Sequence, residues 1–151
     1  MRTLAWLFVL CPMMSFGMDR LAALSMIETG NHDRMVGRAG EISRYQILKR
    51  EWRSVTNSTR YTDHDTARAV TLTLIDRRVA SFRSIYQRPP TNFEFYALWN
   101  APGQVLEGRV SRTVAERCQR YANLCDWKGT LVPLASVKAT RPVLLCQSQS
   151  R

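Results

Sequence analysis

Residues 19–31 read Asp19-Arg20-Leu21-Ala22-Ala23-Leu24-Ser25-Met26-Ile27-Glu28-Thr29-Gly30-Asn31, and the fold turns on this stretch. An Asp carboxylate accepts from free N–H groups at a helix start, so Asp19 caps a helix. Gly30-Asn31 supplies the stop, which predicts a first helix running to about Glu28. Leu21, Leu24 and Glu28 are spaced by three and seven residues, so at 3.6 residues per turn they share one face. Met26 and Ile27 border that face. Glu28 therefore ends an apolar, core-facing stripe. Desolvation there disfavours the charged carboxylate, and the helix C-terminus is the negative end of the dipole. Both effects raise its pKa, and a carboxylic acid still protonated near neutral pH is what general-acid catalysis needs. The competing reading is a Glu paired with one of the chain's many arginines at a helix end.

Outward from this helix, residues 34–47 carry Gly37 and Gly40 and few large apolar side chains. They read as a turn-rich segment or small β-hairpin. A short helix over 48–55 follows, then the loop Asn57-Ser58-Thr59, a glycosylation sequon in a eukaryotic secretory route. Thr62-Asp63-His64-Asp65 resembles a capping box. The helix after it sets Ala67, Val70, Leu74, Ile75 and Phe82 at core-facing spacings. Pro89-Pro90 breaks the chain. Thr91-x-x-Glu94 is a capping box for a helix to about Asn100, which Pro102-Gly103 ends. Ser111 caps a last helix with Val110, Val114, Cys118 and Tyr121 on one stripe. Trp52 and Phe93 fall at core spacings. Residues 129–151 lack helical periodicity and read as a loosely packed tail. The fold class is mainly α, a helical domain with a small irregular or β-hairpin insertion after the first helix.

The chain has 151 residues, 45% apolar, which suits one domain and excludes global disorder. Residues 1–17 place Arg2 before an apolar run at 4–14, with Ser15 and Gly17 as small residues before a cut. That is the layout of an export signal, and the run is too short to span a bilayer. Domain 18–128 and tail 129–151 remain, in a periplasmic or secreted protein. The net charge is +10, from 19 Arg and 3 Lys against 12 acids. The arginines are scattered, which suits diffuse attraction to a polyanionic surface such as a cell wall. Of four cysteines, Cys11 lies in the signal and Cys118, Cys125 and Cys146 in the mature chain. An exported protein with three predicts one disulfide and one free thiol. On one continuous helix Cys118 and Cys125 would lie roughly 10 Å apart, too far to bridge. Such a bridge needs the helix to end before Cys125; otherwise Cys146 ties the tail to one of them. No C-x-x-C pair occurs and neither His32 nor His64 sits in an H-E-x-x-H context, so no metal and no cofactor are expected.

Four segments recur in order: Glu28-Thr29-Gly30-Asn31; Gly37-x-x-Gly40-Glu41-x-Ser43-x-Tyr45-Gln46-Ile47; Ala97-Leu98-Trp99-Asn100-Ala101-Pro102-Gly103; and 114–124, Val-Ala-Glu-Arg-Cys-Gln-Arg-Tyr-Ala-Asn-Leu. This order resembles the lysozyme-like superfamily, in its soluble lytic transglycosylase and goose-type lysozyme branch, over roughly residues 20–125. The resemblance implies that Glu28 is the catalytic acid. It places Tyr45 and Gln46 in the cleft and Trp99 and Asn100 near the scissile sugar, with Ser43 and Tyr96 as further substrate contacts. Glycoside hydrolysis commonly uses two carboxyls, and Glu41, thirteen residues on, is the second catalytic candidate, with Asp33 another that reads as a turn residue. The resemblance implies cleavage of the MurNAc–GlcNAc bond of peptidoglycan by a single Glu, leaving 1,6-anhydro-muramoyl ends. Peptidoglycan glycan strands are then the partner of a monomer, within reach of a larger cell-envelope assembly. Hydrolysis by Glu28 and Glu41 together is the muramidase alternative. Thr29 stands where the family has Ser, Trp99 where Tyr precedes Asn, and Pro102 inside the Ala-Gly pair. These departures motivate a non-catalytic glycan-binding domain as the third reading. The high pI alone motivates a nucleic-acid binder, and no helix-turn-helix or zinc-finger pattern accompanies it.

Overall fold

Residues 95–99 of one short helix are all buried, and the other elements are arranged around them. The structure, a computed structural model, describes residues 17–127. Six helices follow in order: α1 (Arg20–Thr29), α2 (Lys49–Arg53), α3 (His64–Tyr86), α4 (Asn92–Asn100), α5 (Pro102–Leu106) and α6 (Arg112–Asp126). The mainly helical class read from the sequence is the observed one. The export signal at 1–17, but for Gly17, and the tail at 129–151 lie outside the described residues. No helix among the described residues is long and apolar enough to cross a membrane.

Five consecutive apolar residues leave that stretch of α4 no polar side to turn to solvent, so it must be enclosed, and it is. Tyr121 of α6 stacks on Phe95 and Tyr96 at ring separations of 6.0 and 5.1 Å. Its hydroxyl donates to the Arg20 carbonyl of α1 at 2.9 Å. At the start of α4, the Arg20 guanidinium lies over Phe95 and donates to Asn92 Oδ1 at 2.8 Å. At the far end, Arg78 of α3 donates to the Trp99 carbonyl at 2.8 Å and pairs with Glu51 of α2. A cation on the last carbonyls meets the negative end of the α4 dipole. The long helix α3 lays Ala67, Val70, Leu74, Ile75 and Phe82 into the core, the five positions its spacing predicts. Trp52 is fully buried, and Phe93 is partly buried at the core margin.

The helix ends follow local chemistry. Asp19 accepts from the Ala22 N–H, and Gly30 closes α1 in the left-handed conformation. Both capping-box bonds at Thr91 and Glu94 are made. Two boundaries differ from the sequence reading. The α3 cap is Asp63, whose carboxylate accepts from Thr66 N–H at 2.9 Å, and not Thr62. Pro102 opens α5 instead of only ending α4, because a first-turn proline forfeits no helical hydrogen bond.

The segment after α1 forms one antiparallel bridge, Ile42 to Ile47, with two 2.8 Å bonds. The predicted hairpin shrinks to this pair. Leu48 is already the cap of α2 on one side, and a turn from Gly37 to Glu41 occupies the other. No residues are left to extend a ladder. The Cys118–Cys125 bridge does not form: α6 continues through both, and both are free thiols. Burial pushes the Cys118 thiol up to about 11, which keeps it protonated and unreactive. Cys11 and Cys146 lie outside the described residues.

Glu94 is held at about 2 by the Arg88 guanidinium and by the N–H and hydroxyl of Thr91. A depressed folded-state pKa stabilises the fold above the usual 4.5 and loses that stabilisation as pH falls toward 2. Glu94→Gln should cost about 1 kcal/mol at neutral pH, discounted for the half-exposed Arg88. Chemical denaturation at several pH values should show the gap between variant and parent close between pH 4.5 and 2.

Candidate functional site

The apolar face of α1 carries Glu28 inward, as the stripe of Leu21 and Leu24 requires, and its side chain is only 7% exposed. Two neighbours hold it. The Tyr96 hydroxyl donates to Oε1 at 2.8 Å, and Arg117 of α6 donates to Oε2 at 3.3 Å. The Glu28 pKa lies above the usual 4.5: burial raises it most, Tyr96 and then Arg117 pull it back, and the Glu41 charge lifts it again. Burial in turn raises the Tyr96 pKa and keeps this hydroxyl a donor.

Glu28 borders a cleft of about 500 Å3 whose lining also includes Glu41, Gln46, Trp99, Asn100 and Arg117. The loop side of this cleft is built on tight backbone. Glu41 Oε2 accepts from Ala39 N–H at 2.9 Å. Gln46 donates from Nε2 to the carbonyls of Ser43 and Met35 at 3.2 and 3.3 Å. Ser43 and Gln46 both have positive φ, 65° and 53°, a conformation that costs a non-glycine residue of order 1 kcal/mol. Thr29 ties this loop to α1: its hydroxyl donates to the Arg44 carbonyl at 2.9 Å and accepts from His32 N–H at 3.1 Å. A salt bridge from Arg44 to Asp33 at 2.6 Å adds a second tie.

Of the residues read from the sequence, the fold brings Glu28, Glu41, Gln46, Trp99 and Asn100 together around one cleft. Asn100 is exposed at the end of α4. Trp99 lies under the Arg78 guanidinium, 5.1 Å from the ring centre. Tyr96 is fully buried and meets Glu28 instead of a sugar. Ser43 and Tyr45 are corrected: both are buried and neither lines the cleft. The left-handed turn at Ser43 rotates its hydroxyl back to the Tyr45 N–H at 3.3 Å, and the Tyr45 ring fills core. Arg117, within the 114–124 segment, is a site residue that the sequence reading does not assign. It stands four residues before Tyr121 on the inner side of α6, but nothing local distinguishes it from the chain's other arginines. Among the described residues, no three His, Cys, Asp or Glu side chains gather as a metal site.

Compared with family models, curated proteins and solved structures, the chain finds no match.

Two outcomes follow from this geometry. A Cβ on Gly37 would fall 2.2 Å from Glu41 Oε2 and 2.4 Å from Gln46 Oε1. Gly37→Ala should therefore push both side-chain ends aside, with the Glu41–Ala39 bond disturbed, at a cost of up to about 1 kcal/mol in a denaturation titration. Glu28, with its folded pKa raised, binds more protons folded than unfolded, so its ionisation erodes stability as pH rises from 4.5 through the folded value. Glu28→Gln removes that slope. Thermal melts should show the variant gaining on the parent as pH rises above 4.5 and levelling once Glu28 has ionised in the folded state, and a constant difference would contradict the raised pKa.

Proposed function

We propose that this protein is an exported peptidoglycan lytic transglycosylase that cleaves the MurNAc–GlcNAc bond with Glu28 alone as acid and base. The observation that carries this reading is a buried carboxyl, its pKa raised by that burial, at the wall of a cleft open to solvent. Glu28 gives its proton to the glycosidic oxygen as the C1–O bond breaks. The cation left at C1 is stabilised by the substrate's own N-acetyl group. The Glu28 carboxylate then takes the proton of the sugar's 6-hydroxyl, whose oxygen closes on C1. The product is a 1,6-anhydro end, no water is consumed, and Glu28 is again neutral.

The two donors on Glu28 suit both halves of this cycle. Burial raises the Glu28 pKa and so favours the protonated acid that the first half requires. Once the proton has left, Tyr96 and Arg117 stabilise the anion that must act as base. Glu41 sits on the opposite, loop-borne wall and acts through its charge, which raises the Glu28 pKa. The same proximity favours a second reading, a muramidase in which Glu41 directs a water at C1. Periplasmic or secreted placement rests on residues 1–17, and action within a larger envelope assembly rests on the resemblance.

Purified strands digested with the protein should yield anhydro-ended muropeptides, one water lighter than muramidase products by mass. Glu28→Gln should lower turnover by about 10²–10⁴-fold. Product release unchanged by that substitution would end the enzymatic reading, and products carrying the extra water would select the muramidase. Tyr96→Phe deletes a donor that lowers the Glu28 pKa. Activity falls as the acid loses its proton, so this falling limb of the pH–rate profile should move to higher pH in the variant.

A further inference from the structure

The cleft does not end at its basic rim. Past Leu48 and Arg50, which line both, it meets an adjoining hollow of about 590 Å3 bordered by Ala39, Gly40 and Lys49. Arg38 and Arg50 line the first hollow, Lys49 and Arg50 the second, and all three cations are exposed. The remaining charges of the cleft are spent. Arg78 pairs with Glu51 and caps α4, Arg117 pairs with Glu28, and Glu41 accepts from Ala39 N–H. Among the described residues, the side chains of Arg38, Lys49 and Arg50 make no hydrogen bond and no ion pair with an acid. Their backbone is nonetheless fixed. Trp52, fully buried, anchors α2 through its indole N–H to the Ser58 carbonyl at 2.7 Å.

We propose that Arg38, Lys49 and Arg50 form a subsite for carboxylates borne on the substrate, so that the cleft selects glycan strands carrying peptide stems over stripped strands. This rests on the transglycosylase reading for the identity of the glycan. The physical basis is local. A carboxylate meeting unpaired cations in a concave wall gains attraction without displacing an existing partner. A guanidinium also presents a planar fork that a carboxylate matches. Diffuse attraction from the overall +10 charge would not distinguish this rim from any other arginine-bearing face.

The test measures binding with the Glu28→Gln protein, so no turnover is needed. Soluble strands with intact stems, the same strands stripped of stems by an amidase, and chitohexaose are titrated in parallel at two salt concentrations. Stem-bearing strands should bind about tenfold tighter than stripped strands at low salt, with the advantage shrinking at high salt. Replacing Arg38, Lys49 and Arg50 together by Ala should abolish that ratio. Replacing Arg68, Arg77 and Arg83, exposed on α3, should leave it intact. Equal binding of stem-bearing and stripped strands, a ratio that survives the rim variant, or an equal loss in the α3 variant would each overturn the subsite. A preserved preference in a protein whose unmutated form never cleaves strands would overturn the transglycosylase reading alone.

Discussion

A buried tyrosine hydroxyl must find an acceptor, and in this protein the acceptor is the carboxyl of Glu28. Residues 95–99 of α4 are all buried and Tyr96 is fully so, which leaves its hydroxyl no contact with water. Leaving that hydroxyl unpaired would cost about 1–3 kcal/mol. The core that encloses α4 therefore requires a polar group at the end of α1, and the bond at 2.8 Å fixes the register between the two helices. Tyr121 then stacks on Tyr96 and donates back to α1 at Arg20. The three helices that close the core are thus joined through two tyrosines, and Arg117 of α6 adds a third, longer tie to Glu28 at 3.3 Å.

That arrangement sets opposing demands on one carboxyl. Burial raises its pKa, and each added donor lowers it. A short, symmetric ion pair with Arg117 would hold the proton off and leave no acid. At 3.3 Å, with Arg117 partly exposed, the guanidinium stabilises the anion without forcing it. The cost appears in folding, because a buried acid that ionises weakens the native state above its unfolded pKa. Strain in the facing loop points the same way. Ser43 and Gln46 occupy left-handed backbone, held there by Thr29, by the Arg44–Asp33 pair and by the Ile42–Ile47 bridge. Such strain persists where surrounding contacts over-determine it.

Helices were legible in the sequence where their signals were local. Asp19 and Gly30 bound α1, Thr91 and Glu94 start α4, and the apolar spacing of α3 names its buried face. Glu28 was legible for the same reason, since periodicity alone carries it to the core side. What escaped depended on three-dimensional closure. Tyr45 and Ser43 sit beside Gln46 in the chain, yet the tight turn sends their side chains into the core while Gln46 reaches the cleft. Pro102 reads as a stop in one dimension and starts α5 in three, because Ala101 has already ended α4. The pairing of Arg117 with Glu28 spans 89 residues, and no local pattern encodes such a distance. Among 19 arginines, only packing singles that one out.

The two walls of the cleft differ in kind, and this bears on how Glu41 can act. Glu28 is mounted on a helix and held by two side chains from two further helices. Glu41 is mounted on a turn and held by one backbone N–H, two residues away. A carboxylate that must aim a water at an anomeric carbon needs its position fixed within a fraction of an ångström, which rigid elements supply better than turns. A carboxylate that needs only to be charged, and near, has no such demand. The Glu41 charge already reaches Glu28 through space and helps to keep its proton in place. The mounting of Glu41 therefore fits an electrostatic part in a one-acid cycle better than the aimed base of hydrolysis.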